Sequence, residues 1–273
     1  MANSFAALTH AGTRPDNQDV VGWDLATQLW FVADGMGGHA HGQDASRLVK
    51  ETLLGEISRM DLAAAVLKAH EVVVAAAAQG GSGQSMGSTV VCAQIKARDC
   101  RIVWVGDSRA YLWRRPSLSR LTRDHSFVEE MLQTEQISET QLREHPNAHI
   151  VLQTLGMGTP VPSEKTIELR RGDWILLCSD GVMVELRDSE IAHILSASND
   201  PPQAAQQLLD EVLKKGARDN TSVIVIQCDS GTEGAFDRLR RASPVVVGWI
   251  AALAGVALAA AVAVVAWHLH PGR

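Results

Sequence analysis

Four apolar runs in this chain each place an aspartate at one end. LWFVAD ends at Asp34, RIVWVGD at Asp107 and WILLCSD at Asp180, while Asp219 stands just ahead of TSVIVIQC. Short apolar runs rich in β-branched residues and bounded by glycine or polar turns read as strands. A single Asp-Gly after a strand is an ordinary hairpin turn, and Asp34 alone would be read that way. Four such acids are a stronger constraint, because strands laid side by side bring their ends together. Converging carboxylates repel one another unless they are protonated or neutralised. Acidic side chains already outnumber basic ones, 31 to 25, so no surplus of lysine or arginine is on hand. A hard divalent cation with oxygen ligands, Mg²⁺ or Mn²⁺, is the economical solution. Glycine beside Asp34 and Asp180 lets main-chain oxygens or waters approach closely. Zinc fits less well, since the histidines are scattered and no HExxH or CxxC occurs.

The remaining pattern alternates between two periods. SFAALTH, DVVGWDL, STVVCAQIKA, RAYLWRR, LSRLT and the two arms around the RRGD turn read as further strands. Residues 42–60 and 61–79 place apolar positions three and four apart, as two amphipathic helices do, with Asp61 as N-cap of the second. RDSEIAHILSA and PPQAAQQLLDEVLKKG are helical, the latter opened by prolines. Residues 126–145 also look helical, and 126–162 as a whole is mixed and polar. Strands in antiparallel runs with helices in pairs define an α+β layering rather than a doubly wound parallel sheet. At 46% hydrophobic residues the chain can bury a substantial core. Net charge is −6 with no basic stripe, which excludes nucleic acid as a partner. Cys92, Cys100, Cys178 and Cys228 lie in or beside strand-like runs and read as buried, reduced thiols.

A different constraint holds at the other end. Residues 244–267, from Pro244 to Trp267, contain no charged side chain. As a helix this stretch spans about 36 Å, enough for a hydrocarbon core of about 30 Å. Arg238, Arg240 and Arg241 precede it in a basic linker, 230–243, and a short tail, 268–273, follows. The positive-inside rule then predicts a single-pass C-terminal anchor with the N-terminal domain, 1–229, in the cytoplasm.

Seven motifs follow in order: GTRPDNQD (12–19), VADGMGGHAHG (32–42), MGSTVV (86–91), VGDSRAYL (105–112), LTRDHS (121–126), CSDGV (178–182) and RDNTSVIV (218–225). Together they resemble the metal-dependent type 2C protein serine/threonine phosphatases in their bacterial form, over roughly residues 4–228. The resemblance implies a four-layer α-β-β-α sandwich around a central antiparallel β-sandwich, with a cluster of two or three Mn²⁺ or Mg²⁺ ions at one end. It implies phosphorylated proteins as partners, among them a cognate serine/threonine kinase and its targets.

Site roles follow from the same resemblance, position by position. Asp34 corresponds to the carboxylate bridging two metals, and Gly35 gives its main-chain oxygen to the first. Asp180 and Asp219 bind the second, Asp107 with Asp180 resembles a third and weaker site, and Asp19 matches a position holding metal waters. Arg14 matches the arginine gripping the substrate phosphate, and His39 the proposed general acid. The family often has glutamate before the aspartate matched by Asp19, where this chain has Gln18. Two cations sharing a water lower its pKa and align it behind phosphorus, while an arginine fork pairs with phosphate oxygens. No Cys-x5-Arg loop is present, since Cys178 is followed by SDGVM, so thiol-based phosphatase chemistry is excluded. Arg109 reads as a structural partner beside Asp107, and Ser88 and Thr89 as strand residues.

Overall fold

The structure, a computed structural model, describes residues 4–37, 41–79, 86–134 and 145–229. The expected anchor, its linker and His39 lie outside the described residues. In chain order the elements are β1 (Ser4–His10), β2 (Asp19–Asp24), β3 (Leu29–Gly37), α1 (His41–Glu56), α2 (Leu62–Gln79), β4 (Met86–Ser88), β5 (Val90–Lys96) and β6 (Asp99–Val105). There follow β7 (Arg109–Arg114), β8 (Ser117–Arg120), α3 (Phe127–Gln133), β9 (Ser163–Glu168), β10 (Trp174–Cys178), α4 (Asp180–Glu185), α5 (Asp188–Ala197), α6 (Pro201–Lys214) and β11 (Thr221–Gln227).

The strands form two sheets, ordered β1-β11-β10-β7-β8 and β2-β3-β5-β6-β9, with β4 beside β3. Every strand pairing among the described residues is antiparallel. The apolar runs are continuous because both faces of each sheet are covered. In β3, Trp30 and Val32 face the β1-β11-β10-β7-β8 sheet, while Leu29, Phe31 and Ala33 face α1 and α2. In β10, Ile175 and Leu177 point between the sheets, and Trp174, Leu176 and Cys178 point to the opposite helix layer. Successive side chains of a strand alternate faces, so one sequence run supplies two cores. Three apolar layers result, and they separate the four layers expected from the sequence. Each fully buried leucine or valine in them contributes roughly 1.5–3 kcal/mol.

The helices follow their patterning. Asp61 accepts from the amide of Ala63 (2.9 Å), capping α2 as its sequence predicts. By length and composition α2 is apolar enough to cross a membrane, but Leu62, Ala65, Val66, Ala69 and Val73 bury one stripe of it against the β3–β5 face. In α6 the Asp200 side chain accepts from the amide of Gln203 (2.8 Å) and two prolines fill the first turn, which needs no donors there. Of the stretch expected to be helical over 126–145, α3 covers Phe127–Gln133, where the hydroxyl of Thr134 turns back onto the carbonyl of Glu130 (3.0 Å); residues 135–144 lie outside the described residues. The two strands around RRGD are not a hairpin. β9 pairs with β6 and β10 with β7 and β11, so that turn carries the chain from one sheet to the other. All four cysteines are buried and unpaired, as expected.

Candidate metal centre

Crossings between the sheets build the site. Asp19 opens β2 directly opposite Asp34 in β3, so both side chains leave the sheet on one face. Asp34 is not a turn residue. β3 runs on to Gly37, with Gly35 opposite Ser88, and the Asp34 carbonyl accepts from the amide of Thr89 (2.8 Å). Asp107 sits in the crossing from β6 to β7. There Gly106 has φ +107°, and a Cβ on it would fall 2.6 Å from the Thr89 side chain. The opposite sheet contributes Asp180, first residue of α4 just past β10, and Asp219, just ahead of β11.

Several residues that sequence reasoning did not single out hold these acids in place. Asn220 donates to the carbonyls of Ala11 (2.8 Å) and Asp16 (2.9 Å) and accepts from the amide of Gln18 (2.7 Å). It therefore ties the 11–18 loop to the start of β11. The Ser179 hydroxyl donates to Asp19 (2.7 Å) and accepts from the amide of Ser222 (2.9 Å). Gly12 lies at φ +64°, where a Cβ would come 2.3 Å from the Asp219 carbonyl. The only signal for these positions was their presence inside the quoted motifs. Arg109 does not partner Asp107. Its guanidinium grips Asp124 through two nitrogens (2.9 and 2.6 Å) and donates to the Tyr111 hydroxyl (3.1 Å). His125 instead supports the Asp107 turn, because its Nδ1 accepts from the Gly106 amide (3.2 Å) while its ring stacks on Trp104. Thr89 bonds the Ser108 hydroxyl (2.8 Å), a structural use as expected.

The electrostatics record how close the acids are. Burial, then the neighbouring Asp19, Asp180, Asp107 and Asp219, push the Asp34 carboxyl well above its ordinary range. Asp180 is pushed the same way by burial, Asp107, Asp219 and Asp19. Burial raises Asp19 to about 6 against the hydrogen bonds from Ser179 and Ser222, and raises Asp107 to about 6 with Asp124 adding to it. Arg14 reaches the mouth of this cluster and donates to Asp219 (2.8 Å), its guanidinium more than half exposed. Asp219 chiefly holds the Arg14 pKa up, with Asp180 and Asp34 contributing. Asp19, Asp34, Asp107, Asp180, Asp219 and Arg14 are thus brought together, with Gly35 beside Asp34.

The donors fit hard divalent cations. One carboxyl oxygen of Asp19 is buried without a partner. A Cβ on Gly35 would lie 1.9 Å from the Gly42 carbonyl, and one on Gly42 2.9 Å from the Gly35 carbonyl, so two glycines keep that main-chain oxygen accessible. Among the described residues no three side chains close on one point as a finished cage. Mg²⁺ needs none, since it keeps several waters and takes one or two carboxylates.

Paired antiparallel sheets between helix layers, with acids converging at one edge beside an arginine, describe a metal-dependent phosphatase centre, and the family model for protein phosphatase 2C matches residues 8–217, so the chain belongs to that family. The serine/threonine phosphatase stp of Listeria monocytogenes is 31% identical over 231 residues, covering 80% of this chain and 88% of the relative. The serine/threonine protein phosphatase PstP of Mycobacterium tuberculosis is 31% identical over 229 residues, 81% of this chain but only 44% of the relative's own length. A crystal structure of a PstP catalytic domain in complex with two manganese ions superposes with a TM-score of 0.74 at 29% identity, covering 83% of this chain and 98% of that one.

Proposed function

We propose that this chain hydrolyses phosphoserine and phosphothreonine in proteins with Mn²⁺ or Mg²⁺, and is held at the membrane by its C-terminus. One observation carries the catalytic reading: five aspartates from both sheets meet in one cluster, and burial together with the neighbouring carboxylates raises the proton affinity of Asp19, Asp34, Asp107 and Asp180, so the site is built for cations. When bound, two or three such ions supply an acidified water and neutralise phosphoryl charge. Asp34, the Gly35 carbonyl, Asp180 and Asp219 would hold two of them. Asp107 and Asp180 would hold a third, and Asp19 would accept from waters beside them. Arg14, which pairs with Asp219 at the mouth of the cluster, would make paired hydrogen bonds with the phosphate. His39 donates the proton that the serine or threonine alkoxide needs in order to leave.

Ser126, Val128, Leu132, Ala148 and His149 line the cleft beside the site and shape substrate access, and a cognate serine/threonine kinase and its targets are the natural substrates. Residues 244–267 span the bilayer, with the catalytic domain on the cytoplasmic side. The test is phosphate release from a phosphothreonine peptide by the full chain. Activity is expected with Mn²⁺, not with EDTA, and is expected to fall at least about 100-fold in Asp34→Asn. Metal-independent hydrolysis, or an Asp34→Asn enzyme like wild type, would sink the catalytic reading. Recovery of a chain lacking 244–273 in the membrane pellet would sink the anchor.

A further inference from the structure

A cleft of about 830 Å³ opens from the metal centre, with Asp107 and Asp180 in its wall. It runs between α3 and the α4–α5 junction, and Leu132, Met183 and Val184 give it an apolar lining. Four arginines line it. Three are committed to acids: Arg109 to Asp124, Arg120 to Glu129 (2.8 Å) and Arg218 to Glu185 (2.9 Å). Arg187 is exposed; its guanidinium forms no salt bridge with a described residue, and it lies near enough to Glu190 to help hold that carboxyl's pKa down, behind the larger contributions of Lys215 and the Arg187 main-chain amide. Glu190, one turn along α5, accepts from the Arg187 main-chain amide and from Lys215 (2.5 Å). Asp188, the other acid at this rim, accepts from the Tyr111 hydroxyl (3.0 Å) within the Arg109 network.

The cleft is far larger than a phosphorylated side chain and is continuous with the carboxylates proposed to hold metal. Its occupant is therefore the polypeptide that carries the phosphoresidue. An apolar wall ending in an exposed guanidinium that forms no salt bridge with a described residue accepts an aliphatic stem tipped by a carboxylate. We infer that this cleft is a substrate subsite in which Arg187 selects an acidic residue flanking the phosphoserine or phosphothreonine. This rests on the phosphatase reading above and adds sequence preference to it.

The test compares two phosphothreonine peptides, one with glutamates and one with lysines flanking the phosphoresidue, using the full chain with Mn²⁺. The wild type is expected to favour the glutamate peptide in kcat/KM by about fivefold to tenfold, mostly through KM. Arg187→Glu is expected to reverse that ratio, and Arg187→Lys to keep its direction. Arg59→Glu, an exposed charge change on the turn joining α1 to α2, is expected to leave the ratio as in wild type. A ratio unchanged by Arg187→Glu, or moved equally by Arg59→Glu, overturns the subsite while leaving the phosphatase standing. Hydrolysis of neither peptide by wild type overturns the phosphatase reading and the subsite with it.

Discussion

Replacing Asp19 with asparagine is expected to stabilise the metal-free protein at neutral pH, although it removes a residue of the proposed metal centre. The Asp19 carboxyl is 4% exposed, one of its oxygens has no partner, and burial raises its pKa from 3.8 to about 6. A shift of about two units corresponds to about 3 kcal/mol of stability lost when the group ionises at pH 7. The sign follows from proton binding. The folded state holds this proton more tightly than the unfolded chain, so stability falls as pH rises from about 4 through 6. An asparagine carries no charge to desolvate, and its amide can donate toward the carboxylates around it. The hydrogen bond from Ser179 weakens to a neutral one, a loss of about 1 kcal/mol. The net gain is about 2 kcal/mol at pH 7, or about 4–8 °C in melting temperature for a domain of this size. At pH 4, where the native carboxyl is already protonated, less than about 0.6 kcal/mol of charge relief remains. Saturating Mn²⁺ reverses the order, because ligand at 100 times its dissociation constant adds about 2.7 kcal/mol and the variant binds more weakly. Thermal unfolding of the full chain at pH 4 and 7, with EDTA and with Mn²⁺, measures all four values. A variant that melts below wild type at pH 7 in EDTA, or gains equally at both pH values, refutes the reasoning.

Three further outcomes are expected. Gly35→Ala forces a Cβ against the Gly42 carbonyl, which is main chain and has little room to retreat. It should cost at least about 2 kcal/mol by thermal unfolding and weaken Mn²⁺ binding more than about tenfold by calorimetry. Asp124→Asn leaves the buried Arg109 guanidinium short of its counter-charge and should cost about 3–5 kcal/mol, read from denaturant unfolding. Burial pushes the thiols of Cys92, Cys100 and Cys178 far up, so a disulfide reagent at pH 8 should label them only at the rate of unfolding; rapid labelling of the native protein would contradict their burial.

The residues themselves determined the elements, because periods of 2 and 3.6 are local and each run carries its own pattern. β3, β5, β10 and β11, the paired helices and the four strand-end aspartates were all legible, and so was the layering of helices on antiparallel sheets. The ordered motifs also contain the five aspartates and Arg14 that the fold brings together. Tertiary structure alone decided which strands share a sheet. The arms around RRGD look like one hairpin and belong to two sheets, because β9 gains its partner from β6 and β10 from β7 and β11. Tertiary structure also set Asp19 against Asp34 and chose Asp124, 15 residues away, over Asp107 as the partner of Arg109. It placed the Ser179 hydroxyl on an aspartate 160 positions earlier in the chain. Those choices depend on register and on polar groups that meet only after both sheets have packed. No local pattern encodes them, since their energy comes from satisfying buried donors and acceptors far apart in sequence.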